Sequence, residues 1–188
     1  MNLLYPKITW RQFVRLLMFG VAGAVIAGLY GVVHDQVTYT LAPEYFTRLK
    51  FGQFAYLNRA QPVRVIVAEI GFLATWWVGF FSMWFMGRIT VPHESPRRAA
   101  KRSFKGVMMI VVTALASAII AYAIAPEPGD ERLMNWGPLG QELGITNLSA
   151  FVRVAYIHNG SYLGGLLGLI GALVWLRVTR RPAMREVD

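Results

Sequence analysis

Two histidines and a glutamate, His34, His158 and Glu69, stand near the ends of long apolar runs. Each lies 19 residues from an arginine that closes the opposite end of its run: Arg15, Arg177 and Arg88 respectively. Wound as helix, 19 residues rise about 28 Å, close to the thickness of bilayer hydrocarbon. The three groups are therefore expected at one depth, near one face of a membrane. Two imidazoles and a carboxylate form a ligand set for a divalent transition metal (Fe, Zn, Mn or Cu), with coordination positions left for water or substrate. The same two histidines could serve instead as axial ligands of one haem b. A third reading has no cofactor: the groups bond one another and lock the helices together. Asp35, Tyr30 (one turn before His34) and Tyr122 are the expected supporting partners. No H-E-x-x-H or comparable local motif chooses among the three readings. Whether the chain is an enzyme stays open at this level.

The elements that must position these residues are legible in the composition. The chain has 188 residues, 55% of them hydrophobic. Four apolar blocks, with no strand-like alternation, predict an all-α bundle of four transmembrane helices over about 10–33, 62–89, 106–125 and 148–178, forming a single membrane domain. Thr9 and Gln12 fit a capping box ahead of the first helix, and Asn147 suits the cap of the last. The first block is too long for a signal-peptide core and no small-residue cleavage site follows it, so it reads as a retained span. There are no cysteines, which excludes disulfides and thiolate chemistry.

The net charge of +9 invites a nucleic-acid reading, which its distribution argues against. Lys7, Arg11 and Arg15 lie before or in the opening turns of the first span. Arg88 closes the second, and Arg97, Arg98, Lys101, Arg102 and Lys105 lie between it and the third. Arg177 closes the last, and Arg180, Arg181 and Arg185 follow it. Together they are 13 of the 19 basic residues, all on one side. The positive-inside rule then puts both termini in the cytoplasm of a multi-pass inner-membrane (plasma-membrane) protein. The basic stretch 97–105 is expected to attract anionic lipid.

On the other side, 34–61 is rich in aromatics. Pro43 suits the first turn of a short helix. On such a helix Tyr45, Phe46, Leu49, Tyr56 and Leu57 share a face, and Glu44 can pair with Arg48. Residues 43–57 are thus expected to lie at the interface as an aromatic cover, or as a surface for a protein partner.

Two small-residue faces complete the pattern. Gly20, Ala24, Ala27, Gly31 and His34 trace one side of the first helix; His158, Ser161, Gly165, Gly168 and Ala172 trace one side of the last. Packing these faces together would bring the histidines side by side at the outer end.

The segment HDQVTYT, continuing to PEYFTRLKFGQF, resembles one in uncharacterised bacterial integral membrane proteins, as does the HNGSYLGG stretch of the last span. That group has no assigned activity, so the resemblance implies a bacterial inner-membrane location and transfers no site residue. The function these observations support is a metal- or haem-binding site at the outer face of a membrane bundle. The alternative is a non-enzymatic structural or assembly subunit of a membrane complex.

Overall fold

The computed structural model describes residues 8–180; Lys7, Arg181 and Arg185 lie outside them. Four long helices dominate: α1 (Trp10–Leu41), α2 (Val63–Thr90), α3 (Pro96–Ile124) and α4 (Leu148–Val178). Each is long and apolar enough to cross a membrane. No strand occurs among the described residues. The Thr9–Gln12 capping box closes the start of α1, and the Asn147 side chain accepts from the Ala150 amide at the start of α4.

Two helices extend further than their apolar blocks. α1 continues to Leu41, a length of about 48 Å for its 32 residues. α3 begins at Pro96 rather than near 106, so the basic run lies on helix. Ser95 and Pro96 make a good start for a helix, and nothing in 97–105 breaks one. Hydrophobicity marks where a helix meets lipid; caps and prolines mark where it stops.

The helices pair as two antiparallel hairpins, each closed by small residues. Gly23 and Gly31 of α1 lie against Gly79 and Gly71 of α2, so close that a Cβ on Gly31 would collide with the Gly71 carbonyl. Thr75 Oγ1 donates to the Ala27 carbonyl across this seam at 2.7 Å. In the second hairpin Gly164 and Gly168 of α4 lie against Ser117 and Thr113 of α3. The expectation that the small faces of α1 and α4 pack on each other is therefore corrected. Glycines eight residues apart on α1 match glycines eight residues apart on α2, and that register takes the small face of α1.

Large apolar side chains face outward. On α1, Val21, Val25, Leu29, Val33 and Val37 recur every four residues and are exposed. Small residues inside and branched residues outside is the arrangement of helices packed in lipid.

Candidate functional site where α1 meets α4

α1 and α4 meet at their polar positions. His34 and Asp35, in the upper third of α1, reach His158 on α4. The imidazoles pack edge to face with centroids 4.7 Å apart. Asp35 Oδ1 lies between them, 3.2 Å from His34 Nδ1 and 3.3 Å from His158 Nε2. His158 Nδ1 lies 3.0 Å from the Val154 carbonyl oxygen, one turn back. Below, the Tyr30 hydroxyl bonds Ser161 Oγ at 2.9 Å and its ring leans on His34.

The site is dry. Asp35 is 5% and His158 2% exposed. Its roof comes from residues 45–50, which form a π-helical turn continuing as helix to Gln53. The wider turn carries Tyr45, Phe46 and Lys50 inward, and all three are buried. The Tyr45 ring lies tilted against His158 with centroids 4.7 Å apart, and Phe46 packs edge-on to it. Burial pushes the Tyr45 hydroxyl well above its usual range, and the Asp35 and Tyr162 charges reinforce the shift. Burial lowers the Lys50 ammonium, with Asp35 pulling it back up. Tyr56 projects away, 73% exposed, so only the first turn of the expected aromatic face serves as cover.

Glu44 anchors this roof. Its carboxylate accepts from the Thr146 amide (3.0 Å), the Thr146 hydroxyl (2.9 Å) and the Asn147 amide (2.9 Å). These bonds hold the carboxyl below its usual range, with Arg48 a minor contributor. The expected Glu44–Arg48 pairing gives way to amides at the start of α4, which offer directed donors and a favourable dipole.

The expected site residues separate as follows. His34 and His158 come together. Asp35, expected as a supporting group, supplies the carboxylate: the ligand atoms of His34, Asp35 and His158 all lie within 4.8 Å of one another. Glu69 is no part of this cluster, and its assignment as a ligand is corrected. Two positions before Gly71, it lies on the side of α2 turned away from α1, and its carboxylate accepts from Gln61 Nε2 at 3.1 and 3.4 Å. Tyr30 borders His34. Tyr122 lies under the Arg153 guanidinium instead, at 5.2 Å.

A haem between the histidines is also excluded by geometry. A porphyrin must pass between its axial imidazoles, and rings 4.7 Å apart with a carboxylate bonded to both leave no plane for one.

A carbonyl oxygen only accepts, so His158 Nδ1 carries a proton and donates to Val154. Nε2 of the neutral ring then presents a lone pair to the Asp35 carboxylate. Two lone pairs at 3.3 Å require a cation between them, either a proton or a metal ion. An imidazole fixed through Nδ1–H to a backbone carbonyl, with Nε2 free, is the usual preparation of a metal ligand.

No protein-family model, curated protein or solved structure matches this chain. The functional argument rests on the site.

Proposed function

We propose that this protein binds one divalent transition-metal ion through His34, Asp35 and His158 at the outer end of a membrane-embedded bundle. The observation that carries this reading is His158 Nε2 facing the buried Asp35 carboxylate at 3.3 Å while its Nδ1 faces a backbone carbonyl. The spacing supports it: with bonds of about 2.0–2.1 Å, tetrahedral ligand atoms stand about 3.3 Å apart, and Asp35 Oδ1 lies 3.2 and 3.3 Å from the two nitrogens. Three protein ligands leave a fourth position for water or substrate. Zn, Fe, Mn and Cu all accept two imidazoles and a carboxylate.

The charge distribution supports an inner-membrane (plasma-membrane) orientation with the Trp10 end of α1 in the cytoplasm and the site on the opposite face. On that orientation Arg97, Arg98, Lys101 and Lys105 meet anionic lipid, and the roof around 43–57 is the surface open to a protein partner. No nucleic acid is required.

One observation favours a second reading, in which the protein is a structural subunit and the cluster only a hydrogen-bond network. Asp35 bonds both imidazoles directly, so a single proton on His158 closes the network without an ion.

Elemental analysis of detergent-purified protein, stripped with chelator and reloaded with each metal in turn, separates the two. The metal reading expects one tightly held equivalent per chain, lost in His158→Ala and Asp35→Ala and kept in Glu69→Gln. No stoichiometric ion under any loading overturns it in favour of the network.

A further inference from the structure

Lys50 enters the roof with its charge unanswered. It is 9% exposed, and Tyr45 beside it 7%. Its Nζ lies over the Tyr45 ring, 5.8 Å from the centroid, and the same ring meets His158 at 4.7 Å. Neither Lys50 Nζ nor the Tyr45 hydroxyl has a hydrogen-bond or ion-pair partner among the described residues. A lysine that needs only water packs its stem and keeps its head outside; little of this one reaches solvent. An ammonium has three donors and no acceptor. What Lys50 lacks is an acceptor, and an anionic one bonds it best.

The neighbouring carboxylates do not supply it. Glu44 is spent on Thr146 and Asn147, and Glu69 on Gln61. Asp35 is the one negative charge among the described residues that acts on Lys50, and it is bonded to both imidazoles. Without an ion, Asp35 and Lys50 balance. A divalent ion on His34, Asp35 and His158 upsets that balance: one carboxylate neutralises half of it, and Lys50 adds a like charge. Buried charge left uncompensated is costly. A neutral fourth ligand leaves the whole excess in place, whereas an anion removes it.

We infer that, when the ion is bound, its fourth position takes a small oxyanion of the carboxylate, carbonate or phosphate class, with Lys50 Nζ and the Tyr45 hydroxyl as donors to it. This rests on the metal reading and names the class of ligand that the same site selects. Ion and anion are then linked, each raising the affinity of the other by one common factor. Lys50 acts on the two in opposite directions: it repels the ion and attracts the anion. A lysine that only packs the roof does neither.

The test titrates Co²⁺ into full-length, chelator-stripped protein in non-ionic detergent, once in sodium perchlorate and once in sodium acetate at the same ionic strength, followed by the visible absorption of the bound ion. Lys50→Met keeps the length of the side chain and removes its charge. Tyr45→Phe removes only the hydroxyl. Arg48→Gln removes a like charge from the exposed side of the same turn. Gel filtration and circular dichroism check the fold of each variant. Expected in wild type is binding about tenfold tighter in acetate than in perchlorate, within the usual range for coupled sites, with a changed spectrum. Lys50→Met should bind the ion more tightly than wild type in perchlorate and gain little from acetate. Tyr45→Phe should keep the ion and lose part of the acetate effect, and Arg48→Gln should match wild type. Equal wild-type affinity in the two salts overturns the inference without recourse to any variant. An acetate effect that survives in Lys50→Met, or is lost equally in Arg48→Gln, overturns it too. In each of these results the ion still binds and the metal reading stands; absence of any stoichiometric ion overturns both.

Discussion

His158 holds its Nδ1 3.0 Å from the Val154 carbonyl and its Nε2 3.3 Å from Asp35 Oδ1. The first contact determines the second. Once Nδ1–H is committed to the backbone, the nitrogen facing the carboxylate is basic, and the pair coheres only around a cation. Asp35 sits one residue after His34, so α1 delivers a carboxylate and an imidazole to the same end of α4. Burial under Tyr45 and Phe46 keeps water from screening the three groups, which raises the cost of leaving any of them unpaired.

Ion binding should therefore be visible as stability. A ligand that binds only the folded protein adds about 2.7 kcal/mol at 100 times its Kd. Thermal unfolding of wild type should shift upward with the bound metal, whereas Asp35→Asn, whose amide cannot serve as an anionic ligand, should show no shift. Glu69→Gln should behave as wild type, because Glu69 is engaged with Gln61. An equal metal-induced shift in Asp35→Asn would place the ion elsewhere.

Glu44 predicts a pH dependence of definite sign. Its carboxyl is held below the ordinary value by the Thr146 and Asn147 amides. A carboxylate depressed in the folded state contributes stability that is present above its unfolded pKa and lost as pH falls through its folded pKa. Hydrogen exchange at the Thr146 and Asn147 amides should be slower in wild type than in Glu44→Gln at pH 7. That difference should shrink as the pH falls below about 4.3, the ordinary value for glutamate. A gap that persists at pH 2 would mean that the roof is held by something other than this charge.

Much of this could be foreseen from the chain. The depth rule located His34 and His158 because helix rise is fixed and bilayer thickness nearly so. The same rule misled at Glu69: depth says nothing about azimuth, and its side of α2 follows from Gly71 and Gly79, which seat α2 on α1. Asp35 stands about 100° around the helix from His34; a partner helix entering between the two positions reaches both. The glycine register between α1 and α2 was available in the numbering, as two pairs with equal spacing on consecutive antiparallel helices. The π-helical turn at 45–50 had no sequence signal. It depends on Tyr45 and Phe46 finding a buried seat over α4, a tertiary effect that local propensity does not carry.

The roof should control access to His158. Phe46 is fully buried and Tyr45 nearly so. Truncating a buried phenylalanine costs about 3–5 kcal/mol, so Phe46→Ala should destabilise this end of the bundle strongly. Tyr45→Ala is the more discriminating change, since the Tyr45 ring lies against His158. Modification of histidine by diethylpyrocarbonate should be slow at His158 in wild type and clearly faster in Tyr45→Ala, with His93 in the loop before α3 as an internal reference. Unchanged reactivity at His158 would mean that water reaches the site by another route.

The glycine seams give the last contrast. At Gly31 an added methyl meets the Gly71 carbonyl and Thr75 Oγ1, so α1 and α2 must separate to admit it. Backbone cannot yield as a flexible side chain does, and overpacking of this kind costs about 1–3 kcal/mol. Separation would also strain the Thr75–Ala27 hydrogen bond and tilt the part of α1 that carries His34 and Asp35. Gly31→Ala should therefore lower both Tm and metal affinity. At Gly165 nothing lies within 4 Å of the same methyl, and alanine is the better helix former by about 1 kcal/mol. Gly165→Ala should be neutral or slightly stabilising and leave the ion in place. Thermal melts of the two variants, each with and without metal, check the pair. Equal losses would refute the α1–α2 seam as the element that positions the site.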